Sequence, residues 1–165
     1  MAITMGKRAF EAASKYVLDQ FSTSYTYLAM SCVLRDMGLD NCADWILDKS
    51  EEHRKTAMDF LHHLEKRGVK IKLSPIPVGR QDWRAPLHIF EEMGRLEQKL
   101  TGLLSVCLES AVADKDYISQ QFIMNFFETH LQLEFRAMGL LNRLRKSQAS
   151  DAEVFRFDEE IKTLC

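Results

Sequence analysis

All three prolines of this 165-residue chain fall between residues 75 and 86. On either side lie long stretches with no proline and few glycines, in which apolar residues recur at intervals of three and four. That spacing belongs to helices that bury one face, and proline-free runs of this length leave room for long ones. Four segments follow. The first, 7–37, has an inward line of Ala13, Val17, Gln20, Ser24, Tyr27, Ser31 and Leu34, with Gly38 as its C-cap. The second, 41–68, starts at Asn41 as N-cap and carries Ile46, Ser50, His53, Ala57, Phe60 and Leu64 inward. The third, 86–113, opens on Pro86 in the first turn and carries Phe90, Met93, Glu97, Leu100, Leu104, Leu108 and Ala111. The fourth, 116–146, carries Ile123, Phe126, His130, Leu133, Ala137, Leu141 and Leu144. After a polar break at 147–150 a short fifth segment, 151–164, offers Phe155, Ile161 and Leu164.

The links define the architecture. Short connections between the first and second segments, and between the third and fourth, make two antiparallel hairpins. The seventeen residues from Val69 to Ala85 could reach roughly 55 Å when extended. A helix the length of the second segment is only about 40 Å long. The second and third segments can therefore run parallel, joined by a crossover along the bundle. The expected fold is all-α: one domain, four long helices with a long crossover in the middle and a short fifth helix at the end.

Four of the inward positions are polar, one per long segment: Gln20, His53, Glu97 and His130. Polar side chains pointing into a bundle core from every helix mean a metal site or a hydrogen-bonded network in its place. Two imidazoles and one carboxylate, with Gln20 or water completing the shell, suit a single zinc or ferrous ion. In the other reading the two histidines bond to Glu97, while Gln20 and Tyr27 satisfy what remains. Helix two carries a further polar line that includes Asp48, Glu51 and Glu52, ordinarily a solvated face. The formal net charge of −2 gives no electrostatic case for nucleic acid or an anionic membrane. No run approaches a membrane span and residues 1–8 have no apolar signal core, so a cytoplasmic protein is expected. Cys32, Cys42, Cys107 and Cys165 are scattered, which fits a reduced compartment.

Several stretches resemble the ferritin family, closest to its non-haem bacterial type. They are Tyr25 to Ser31, Ser50 to His53, Leu64 to Gly68, Leu96 to Gln98, Ala113 to Tyr117 and Phe157 to Leu164. The resemblance implies a hollow 24-subunit shell that stores iron, with a dinuclear ferroxidase centre inside each bundle. Carried over residue by residue, the helix-one glutamate of that centre falls on Gln20. Its helix-two glutamate and histidine fall on His53 and Thr56, and its helix-three glutamate is retained as Glu97. The helix-four positions fall on His130 and Leu133, and the neighbouring tyrosine is Tyr27. One carboxylate ligand survives, so the implied centre is degenerate and ferroxidase activity is in question. Where haem-carrying members place a methionine, this chain has Arg54, so no haem is expected. The resemblance also places Asp48, Glu51 and Glu52 on the cavity wall, where they would seed mineral. The start of the fourth segment, Ser119 to Ile123, has none of the acids that line the family's entry channel. Three functions stay open. The first is an iron-storage subunit that works alone or co-assembles with a ferroxidase-competent one. The others are a mononuclear metal protein and a metal-free scaffold.

Overall fold

The computed structural model describes residues 5–77, 79–147 and 150–164. Among them are six helices: α1 Lys7–Asp36, α2 Asp40–Lys66, α3 Pro86–Ala113, α4 Tyr117–Met124, α5 Phe127–Lys146 and α6 Asp151–Leu164. The core divides into two apolar clusters. One gathers Leu34, Ile46, Phe90, Leu141 and Leu144 with Val154, Phe157 and Ile161 of α6. The other gathers Ala9, Val17, Phe60, Leu64, Leu104, Ala111 and Ile123. Thus α1 and α4–α5 run from the second cluster to the first, while α2 and α3 run from the first to the second. The expected parallel pair and its crossover follow. The crossover lies along α1: Ser74 to Pro77 stand beside Lys15 to Ser22, and Gly79 stands against Thr26. It ends by burying Trp83 in the first cluster.

Helix ends explain several boundaries. Gly38 has φ +76°, and the bonds Gly38 N to Arg35 O and Leu39 N to Leu34 O close the end of α1. Such an end needs a left-handed residue, which glycine adopts without strain. The expected Asn41 cap is corrected. Helix α2 starts one residue earlier, at Asp40, and its N-cap residue Leu39 supplies no side-chain bond. The cap comes instead from α6, where buried Asp158 accepts from Cys42 N at 2.7 Å and from Asn41 Nδ2 at 3.2 Å. A carboxylate at a helix N-terminus satisfies orphan N–H groups and opposes the helix dipole, so α6 is pinned by charge as well as by packing. The start of α1 is capped likewise by Asp114 at the end of α3, which accepts from Ala9 N at 3.2 Å. A Cβ on Gly6 would stand 2.0 Å from the Asp114 carboxylate, so only glycine fits there.

The single expected helix 116–146 is also corrected, since Asn125 and Phe126 break it into α4 and α5. Their N–H groups bond three residues back, to Phe122 O and Ile123 O. This tighter turn accompanies an aromatic cluster in which Phe122 and Phe126 both pack on Phe60, each at 4.9 Å between centroids. Leu108 is only half-buried, and Cys107 occupies the fully buried position in its place. The expectation for 147–150 falls partly outside the described residues, and Cys165 lies wholly outside them.

Candidate functional site

Between the two apolar clusters lies a layer of buried polar side chains, Gln20, Ser24, Ser50, His53, Glu97 and His130, all under one-tenth exposed. Each stands there because the helical period that buries its apolar neighbours buries it too. Tyr27 closes the layer toward the first cluster and Tyr16 toward the second. The layer is one connected chain. Tyr27 OH donates to Glu97 Oε1 at 2.5 Å, and His53 Nε2 meets the same oxygen at 2.8 Å. His53 Nδ1 meets Gln20 Oε1 at 2.7 Å, and Gln20 Nε2 donates to Tyr16 OH at 2.8 Å. Tyr16 OH then meets His130 Nε2 at 2.5 Å. Beside it, Ser50 Oγ donates to Ser24 O at 2.6 Å and ties α1 to α2.

The sequence named Gln20, His53, Glu97, His130 and Tyr27, and the structure brings all five into this layer. It does not join them as expected: His130 bonds to Tyr16, a residue the sequence reading passed over, rather than to Glu97. Among the described residues, no three of the His, Cys, Asp and Glu side chains converge in an arrangement that could hold a metal ion. Two buried atoms of the layer, Glu97 Oε2 and His130 Nδ1, have no hydrogen-bond partner among the described residues. Thr56 is half-buried and its hydroxyl donates back to Glu52 O. Asp48, Glu51 and Glu52 are exposed on α2, with Glu52 accepting from Lys49 Nζ at 2.8 Å.

Electrostatics follow from the partners. Burial alone would raise the Glu97 pKa, but the His53 charge and the bonds from His53 and Tyr27 outweigh it and hold the carboxyl below its usual value. Burial lifts Tyr27 well above the ordinary tyrosine range, with Glu97 adding to the effect, and it raises Tyr16 in the same way. Burial pushes His130 down from 6.5 to about 4. Its depressed value sets a sign. Between pH 6.5 and 4 the unfolded chain binds a proton that the folded chain refuses, so stability is full above 6.5 and falls as the pH drops toward 4. The effect is bounded at about 3 kcal/mol. Unfolding free energies measured across this range should decline less steeply in His130→Gln than in the parent. Equal slopes would show that His130 does not carry the effect.

The family model described as Ferritin-like domain matches residues 11–147. A bacterial non-heme ferritin of Bacteroides fragilis (strain 638R) is 27% identical over 150 residues, covering 91% of this chain and 93% of the relative. One of Staphylococcus aureus (strain MRSA252) is 19% identical over 159 residues, covering 96% of each. Among solved structures, an open pore ferritin from the hyperthermophilic archaeon Archaeoglobus fulgidus superposes with a TM-score of 0.92. It is 22% identical, and the match covers 97% of both chains.

Proposed function

The chain belongs to the ferritin family, and from that premise we propose that it is the subunit of an iron-storing shell whose bundle lacks a working diiron oxidation centre. The observation that carries this reading is the donor set of the buried layer. Two divalent ions in a low-dielectric bundle must be neutralised, because desolvating each ion costs several kcal/mol. The layer offers one carboxylate, Glu97, which already accepts from His53 and Tyr27. Gln20, His53 and His130 bring no negative charge, and they are engaged with one another and with Tyr16. The residues present do not fit a pair of irons.

Iron is then the cargo of the assembly. Its oxidation falls to dissolved oxygen at the mineral surface or to a ferroxidase-competent subunit assembled into the same shell. Asp48, Glu51 and Glu52, exposed on α2, are the carboxylates that would collect ions on an inner wall. Among the described residues, no helix is long and apolar enough to cross a membrane. The alternative keeps one divalent ion, zinc or ferrous iron, on His53, Glu97 and His130 with Gln20. Glu97 Oε2 and His130 Nδ1 are the two atoms with bonding capacity left for it.

Stopped-flow mixing with ferrous iron and oxygen tests the proposal, with sedimentation before and after loading. Expected are a shell-sized particle that gains mass and iron oxidation without a rapid phase. A fast burst consuming two irons per subunit would overturn the missing centre. A monomer that retains no iron would overturn storage. Elemental analysis against His53→Ala/His130→Ala decides the single-ion alternative, which requires metal in the parent alone.

A further inference from the structure

We infer that the buried layer is a metal-free clamp across all four long helices, with the protonated His53 ring standing where a cation would be as the partner of Glu97. The polarity of the hydrogen bonds carries this. His53 faces an acceptor on each side, Gln20 Oε1 at 2.7 Å and Glu97 Oε1 at 2.8 Å. Serving both requires an N–H on both ring nitrogens, and a ring with two N–H groups is an imidazolium. Gln20 turns its carbonyl oxygen to His53, so its NH₂ donates to Tyr16 OH. Tyr16 has then accepted, and its own proton goes to His130 Nε2. With Nε2 accepting, a neutral His130 carries its proton on Nδ1.

The consequence for a cation is direct. Neither His53 nitrogen has a free lone pair. The remaining His130 nitrogen is a donor, and the Gln20 oxygen is taken. Glu97 Oε2 is the one acceptor left over, and an incoming ion would meet the imidazolium beside it. The layer is already neutral, since one carboxylate faces one imidazolium, both 2% exposed. The clamp also has the reach of a metal centre. Tyr27, Gln20 and Tyr16 belong to α1, His53 to α2, Glu97 to α3 and His130 to α5, so one unbroken chain of bonds ties every long helix to its neighbours. The two tyrosines seal it on their ring faces. Tyr27 stands edge-on to His53 at 5.1 Å, and Tyr16 packs on Phe60 at 4.5 Å.

This inference is independent of iron storage, and its test uses no iron. Neutron diffraction from deuterium-exchanged crystals of the assembled protein should show deuterium on both His53 nitrogens and on His130 Nδ1. A bare nitrogen on His53 would overturn the clamp. A parallel measurement follows the melting temperature of the assembled protein in a large excess of zinc or cobalt(II), and in chelator. Any ligand held only by the folded state raises the melting temperature, so the clamp predicts no metal-induced rise that depends on Glu97. His62 and Glu65 form a pair on the surface at 3.0 Å, so His62→Ala is run alongside, with Glu97→Gln. A metal-induced rise that persists in His62→Ala and is lost in Glu97→Gln would overturn the inference. One abolished by His62→Ala, or kept in Glu97→Gln, belongs to surface groups such as His62, Asp48, Glu51 and Glu52 and leaves the clamp standing.

Discussion

Arg67→Ala is expected to cost about 3–5 kcal/mol of unfolding free energy, the range for removing one partner of a buried ion pair. Arg67 ends α2, with its side chain 7% exposed against the 4% exposed Asp116 side chain. Its Nη1 donates to Asp116 Oδ1 at 2.9 Å, to Oδ2 at 3.0 Å and to Ser119 Oγ at 2.8 Å. Asp116 serves twice, because it also caps α4 by accepting from Ser119 N at 3.1 Å. Burial works to raise its pKa, but the bonds from Arg67 and Ser119 prevail and hold it below the ordinary value. Without the guanidinium, a buried carboxylate remains at the turn where Lys115 already occupies a left-handed conformation, φ +53°. Arg67→Lys should recover only part of the loss, since an ammonium is more strongly hydrated than a guanidinium and costs more to bury at this 7% exposed position. Denaturant unfolding of the parent, Arg67→Ala and Arg67→Lys measures this. A loss under ~1 kcal/mol in Arg67→Ala would place the pair among the weak surface ion pairs.

Arg67 and Asp116 also mark where a reading of the sequence stops. Helical period alone located Gln20, His53, Glu97 and His130, because a polar residue in an apolar line is conspicuous and the line has one place to go. Tyr16 lies four residues before Gln20 and eleven before Tyr27, on the same face, so its position was available from spacing. Its aromatic ring beside Val17 reads as ordinary core, and only the structure shows its hydroxyl bridging Gln20 and His130. The break at Asn125–Phe126 has no proline or glycine to announce it. It coincides with the packing of Phe122 and Phe126 on Phe60, a contact more than sixty residues away in the chain. Asp114 and Asp158 cap helices they do not belong to, and no local pattern can signal a cap whose partner is 105 or 116 positions distant. Which way each hydrogen bond points decides whether the layer accepts a cation. That depends on amide and hydroxyl orientations fixed by four helices at once.

Replacing His53 and Glu97 one at a time and together should expose that dependence as strong coupling. His53→Leu leaves Glu97 buried with Tyr27 as its remaining partner, and leaves Gln20 Oε1 without a donor. The cost expected is about 3–5 kcal/mol. Glu97→Leu leaves the His53 ring and the Tyr27 hydroxyl, on residues 2% and 0% exposed, facing an apolar side chain, each losing its bond, at a cost of about 1–3 kcal/mol per orphaned group. The double replacement removes both charges together and puts leucines of similar bulk between two clusters that are already apolar. Burying apolar groups in place of an ion pair is often neutral or favourable, so the double variant should lose much less than the sum of the two single losses. A coupling of at least about 2 kcal/mol is expected, against the ~0.5 kcal/mol scatter of independent sites. Urea unfolding of the four proteins at neutral pH gives the cycle directly. Additive losses would mean that the 2.8 Å contact between His53 and Glu97 carries no net energy. That pair would then add nothing to what the apolar clusters and the other interhelical bonds supply.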